Sequence, residues 1–163
     1  MNSDEYKRAK NAALRLLGLC DRSRKDLKDR LLKKGYPPEV IEAVLSEMES
    51  LGYIDDGRFA MRFAVDAMKR KNSGPQAVIS GLQKKGVTRD IIEDVVGRIF
   101  VDDTVMAMAR KALSLKLNKR LNSGCSSLQR DEVRRLSDYL RRKGFSYDII
   151  RELIREIATD DDI

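Results

Sequence analysis

Histidine and tryptophan are absent from the 163 residues, cysteine occurs twice and proline three times. Without histidine the chain lacks the commonest general base and the commonest zinc ligand. Its two thiols, Cys20 and Cys125, have no CxxC spacing and read as free cysteines of a reducing compartment. No apolar run approaches the ~20 residues that span a bilayer. The opening MNSDEYKRAK has no apolar stretch behind its charges, so no secretory signal is expected either. The GxxxxGK(S/T), GxGxxG, HExxH and GxSxG patterns are all missing. Phosphate cradling, hydride transfer and hydrolysis thus lack their minimum residues. The expectation is a cytoplasmic protein that is not an enzyme and carries no cofactor and no metal.

What the chain does have is charge and periodicity. It is 42% apolar and 36% charged, a combination that points to amphipathic helices, since a disordered chain would lack the apolar face. Three segments align without gaps: RLLKKGYPPEVIEAVLSEM (30–48), GLQKKGVTRDIIEDVVGRI (81–99) and YLRRKGFSYDIIRELIREI (139–157). Gly35, Gly86 and Gly144 fall in register, each after a basic pair. Upstream, Leu27/Leu31, Val78/Leu82 and Leu136/Leu140 keep the spacing of four that one helix face requires. Downstream, five apolar positions match in all three copies, which marks an internal repeat.

Each copy reads as helix, tight turn, helix. The glycine ends the first helix with positive φ, and the basic pair complements the negative end of the dipole. Thr88 and Ser146 are placed to cap the following helix, and Pro37-Pro38 take cap and first position in the first copy. A further amphipathic stretch precedes each pair: AALRLLGL (12–19), RFAMRFAVDAM (58–68) and VMAMARKALSLKL (105–117). The expected fold is all-α, three tandem three-helix repeats at 1–52, 53–101 and 102–163, stacked into an elongated, curved array. The aspartate pairs Asp55-Asp56 and Asp102-Asp103 stand where helices begin, with side chains able to accept from the free backbone N–H groups there, so they read as N-caps of those helices and not as a metal or acid/base dyad.

The net charge is +7, and it is spread: 11 basic against 9 acidic residues in the first repeat, 9 against 6 in the second, 13 against 11 in the third. Any one basic cluster is explained by a solvated helix face. Recurring at equivalent points, they can line a cationic track for a long anionic or filamentous partner. The residues expected on it are Lys69, Arg70, Lys71, Lys84, Lys85, Lys116, Lys119, Arg120, Arg141, Arg142 and Lys143. The aromatics are few, and Tyr36, Phe59, Phe63 and Phe145 are expected in the core, which leaves no evident stacking platform for bases. A helix-turn-helix reading also fits one glycine turn, but three leucine-faced copies read more naturally as packing units.

The stretch LGYIDDGRFAMRFA (51–64), with ALRLLGLCDRSRKDLKDRLLKKGY ahead of it and SGPQAVISGLQKKGV behind, resembles the RecX regulatory proteins of bacteria. Gly52, Tyr53, Asp55, Asp56, Arg58 and Phe59 match the family's characteristic block, and Gly74, Pro75, Lys85 and Gly86 match the segment after it. The likeness is strongest over 13–99. It implies a negative modulator that lies along the RecA filament on single-stranded DNA, and the chain itself is expected to be a monomer. Such a protein blocks extension or favours disassembly, and lowers the ATPase, strand-exchange and coprotease activities of RecA. The motif residues themselves are expected to be structural. Direct contact with single-stranded DNA is expected to be weak and non-specific. The alternative is a general basic helical protein that competes for single-stranded DNA.

Overall fold

The computed structural model describes residues 3–121 and 130–160. Among them are nine α-helices and no strand: α1 (Ser3–Leu19), α2 (Arg24–Lys33), α3 (Pro38–Ser50), α4 (Asp56–Lys71), α5 (Pro75–Lys84), α6 (Arg89–Ile99), α7 (Asp102–Leu121), α8 (Arg130–Lys143) and α9 (Tyr147–Asp160). No helix among these residues is long and apolar enough to cross a membrane. The chain forms two compact units, residues 1–63 with 81–95 and residues 64–80 with 96–163. The division passes through α4, α5 and α6, inside the second repeat.

In the first unit, α1, α2 and α3 close on one core. Ala9 and Ala13 on α1, Leu27 and Leu31 on α2, and Val40, Ile41, Val44, Leu45 and Met48 on α3 are buried together with Ile54. The two alanines, one turn apart, let the α1 backbone approach the leucines closely. The turn after α2 follows from the glycine. Gly35 has φ +83°, and its N–H and that of Tyr36 reach back to Leu32 O (2.9 Å) and Leu31 O (3.4 Å). The copy at Gly86 closes in the same way, with Val87 N–H on Leu82 O at 3.1 Å, and so does the end of α3 at Gly52. Pro37 and Pro38 take cap and first position of α3 as expected, with no side-chain cap bond.

The second unit repeats the plan with α7, α8 and α9. The three helices pack on one another and bury Val105, Ala109, Ala112 and Leu113 of α7, Leu136 and Leu140 of α8, and Phe145, Ile150 and Leu153 beyond the turn. Gly144, at φ +88°, carries the turn, and Phe145 N–H bonds Leu140 O at 3.2 Å. Arg110 joins α7 to α9 through Glu156 at 2.6 Å. Of the aromatics expected in the core, Phe145 is fully buried. Tyr36 is half-buried against the first core, and Phe59 and Phe63 are half-buried with ring centroids 6.2 Å apart.

Candidate interaction surface

The turns do more than reverse the chain. In the first unit the turn of the second repeat is seated on the start of α2. Ser23, fully buried, caps α2 by accepting from Asp26 N–H (3.1 Å) and donates its hydroxyl to Lys85 O at 2.6 Å. The Lys85 ammonium donates to Asp26 at 2.9 Å, and Arg22 and Arg30 donate to the same carboxylate at 2.9 Å each. Burial pushes the Asp26 carboxyl up, but the hydrogen bonds from Lys85, Arg30 and Arg22 outweigh it and hold the group far below the usual carboxylate range. Arg62 reaches Asp21 across the same junction.

The second unit has the equivalent junction, made with backbone. Gly74 stands where Ser23 stands in the first repeat. Its N–H donates to Lys143 O at 2.7 Å, and Gln76 N–H donates to Gly144 O at 3.1 Å. A methyl group on Gly74 would lie 2.6 Å from Gly144 O, and one on Gly144 would lie 2.3 Å from Ala77 N. This close approach is the physical reason for glycine in the Gly74-Pro75 pair.

The aspartate pair resolves into two caps. Asp55 accepts from Arg58 N–H at 2.9 Å and so caps its own helix, α4, while the Arg58 guanidinium braces the preceding turn through Gly52 O at 3.0 Å. Asp56 instead accepts from Arg24 N–H at 2.8 Å and caps α2, thirty-two residues earlier in the chain. Burial raises the Asp56 carboxyl; the bond from Arg24 opposes this and the nearby Glu49 adds to it. Phe59 packs on Phe63, whereas Tyr53 is about half exposed. Among the described residues no group of three or more His, Cys, Asp or Glu side chains is gathered that could hold a metal ion.

The cationic residues divide. Lys84 is exposed in the first unit, while its neighbour Lys85 is committed to Asp26. Lys69, Arg70 and Lys71 are exposed at the end of α4. In the second unit the Lys143 ammonium reaches Lys71 O. Lys143 and Lys116 both lie over the Tyr139 ring, at 5.6 and 5.4 Å from its centroid. Lys116 and Lys143 are therefore brought together on Tyr139, with Arg142 exposed and Arg141 held by Asp138 at 3.0 Å. Lys119 and Arg120 fall outside the residues whose side chains are described. Tyr139 was not legible as part of a basic cluster, because its lysines come from different helices.

A second surface was missed in the sequence altogether. On the first unit Arg8, Arg15, Leu16, Leu19 and Tyr36, with Lys34, line an open groove of about 350 Å³. Leu19 is 79% exposed at its edge.

Three family domains match this chain: RecX, first three-helix domain, over residues 9–48; the second over 55–96; and the third over 106–154. The chain is 35% identical to the regulatory protein RecX of Pelodictyon phaeoclathratiforme, over 92% of this chain and 91% of that one. It is 31% identical to the Bacillus subtilis protein of the same name, covering 98% of this chain and 58% of that longer relative. The crystal structure of RecX from Lactobacillus salivarius superimposes with a TM-score of 0.79 at 27% identity, over 96% of this chain and 99% of that one.

Proposed function

Because this chain belongs to the RecX family of regulatory proteins, we propose that it is a non-enzymatic, cytoplasmic negative modulator of the RecA recombinase. It binds the RecA filament on single-stranded DNA, blocks its extension or promotes its disassembly, and lowers RecA's ATPase, strand-exchange and coprotease activity. Three repeats, at 1–52, 53–101 and 102–163, supply the scaffold. The observation that carries the reading is that the family's motif residues are spent on helix caps and repeat junctions, while exposed cations remain for a partner. The cations at the ends of α4 and α8 supply long-range attraction to a polyanionic filament. Seated against neighbouring protomers, a folded helical body opposes the subunit motions that ATP turnover and extension require.

A second reading, competition for the single strand itself, is favoured by the gathering of Lys116 and Lys143 around Tyr139. The test is RecA's ATP hydrolysis on single-stranded DNA held in excess, with this protein titrated in. Turnover lost well below the amount that covers the DNA supports action on the filament. Loss only at saturation of the strand supports competition. Unchanged turnover refutes both.

A further inference from the structure

The groove on the first unit has two internal counterparts. With Leu27 aligned to Val78, the buried pair Ala9/Ala13 aligns with the buried pair Ala60/Ala64. Asn11 then stands where Arg62 stands, and Lys34 where Lys85 stands. In the second repeat this face is covered: Arg62 meets Asp21, Lys85 meets Asp26, and the turn carbonyl takes a hydrogen bond from Ser23. In the third, the corresponding turn carbonyls of Lys143 and Gly144 take the N–H groups of Gly74 and Gln76 at the start of α5. Twice, then, the face receives the first turn of a helix, and in the better-charged instance that turn brings aspartates to basic side chains.

In the first repeat the same face is open. A methyl group on Gly35 would meet nothing within 4 Å, in contrast to Gly86 and Gly144. Arg8, Arg15 and Lys34 are exposed around the groove, and no salt bridge of theirs is found among the described residues. Leu16, Leu19 and Tyr36 supply an apolar floor and edge.

We infer that this groove is a docking site for the acidic first turn of a helix on a protein partner, an intermolecular copy of the junction that joins the repeats. The partner offers a capped helix start whose Asp or Glu side chains meet Arg8, Arg15 and Lys34, with an apolar residue against Leu16 and Leu19. The inference rests on the filament-binding reading and names the protein side of that contact, as distinct from the phosphate side.

The test uses the full chain with Arg15→Glu and Lys34→Glu together, both exposed positions, with a melting curve as control for folding. Binding is measured to RecA filaments on single-stranded DNA and, separately, to the bare strand. The expected result is a loss of about tenfold or more on the filament with less than about a threefold change on the bare strand. Equal losses on both would make the groove a phosphate contact and overturn the inference, as would no loss on either. An independent arm titrates the isotopically labelled protein with a short helical peptide carrying the Asp-x-Ser-x-x-Asp spacing of Asp21, Ser23 and Asp26. Resonance shifts centred on Arg8, Arg15, Lys34 and Tyr36 are expected, and shifts elsewhere or none overturn the site. If the wild-type chain ignores the filament yet takes the peptide in the groove, the functional reading fails and the docking site stands.

Discussion

Gly144→Ala adds one methyl group where the turn of the third repeat is seated on the start of α5. Two costs arise. The backbone at φ +88° is strained for any residue with a β-carbon, by ~1–2 kcal/mol. The methyl also lies 2.3 Å from Ala77 N and 2.6 Å from Ala77 Cβ, so the α5 backbone has to move. Such overpacking costs ~1–3 kcal/mol. Any shift large enough to break the bond from Gln76 to Gly144 O adds about 1 kcal/mol. The total is ~3–6 kcal/mol. Two companions divide it. Gly35→Ala has the same strain at φ +83° with open space around it, and should cost only the first ~1–2 kcal/mol. Gly74→Ala has no positive φ but meets Gly144 O at 2.6 Å, and should cost only the docking part, ~2–4 kcal/mol. Urea unfolding followed by circular dichroism gives all three. In a chain of this size the melting midpoint should fall by about 3–6 °C for Gly35→Ala and about 10 °C or more for Gly144→Ala. If Gly144→Ala is no worse than Gly35→Ala, or Gly74→Ala is neutral, the backbone-to-backbone seat does not hold the second unit together and the reasoning is refuted.

Asp26→Asn removes the carboxylate that receives Lys85, Arg22 and Arg30, and should destabilise by about 2 kcal/mol at neutral pH, read from urea midpoints. Its native carboxyl lies below the unfolded value of about 3.9, so its contribution is fully present above that pH. The difference between wild type and Asp26→Asn should therefore shrink as the pH falls below about 4. Asp56 has the opposite sign: its carboxyl is raised, so ionisation at neutral pH works against folding. Asp56→Asn, which keeps an acceptor for Arg24 N–H, should lie within about 0.5 kcal/mol of wild type at pH 7, whereas Asp56→Ala should lose about 1 kcal/mol with the cap. Reversing Lys69, Arg70 and Lys71 to glutamate should weaken association with RecA filaments on single-stranded DNA and flatten its salt dependence, by about 0.7 in log-log slope for each phosphate no longer neutralised. A filament titration with unchanged slope would remove those three residues from the interface.

The helices and their turns were legible because their causes are local. A glycine after a basic pair and apolar residues four apart specify a turn and a face within one stretch of chain, and the positive φ at Gly35, Gly86 and Gly144 follows from that alone. Asp55 as a cap was legible for the same reason, since its donor is three residues away. Asp56 was not, because its donor is the first amide of α2. Lys85 looked like a surface cation until the fold placed Asp26, fifty-nine positions earlier, within hydrogen-bond reach. Phe59 and Phe63 carry the spacing of a core pair yet are half-buried, since the alanines Ala60 and Ala64 hold the buried face of α4. The groove of Arg8, Arg15 and Lys34 leaves no trace in any run of sequence, because α1 and the end of α2 meet there only after folding.

The compact units are out of step with the repeats, each drawing on parts of two of them. A chain shortened by its last repeat would thus not shed one folding unit and keep the rest. It would strand the first turn of α5, leaving the Gly74 and Gln76 amides without their carbonyl partners. Duplication of a repeat is different, since the copy arrives with both the turn that seats on its predecessor and the helix start that seats its successor.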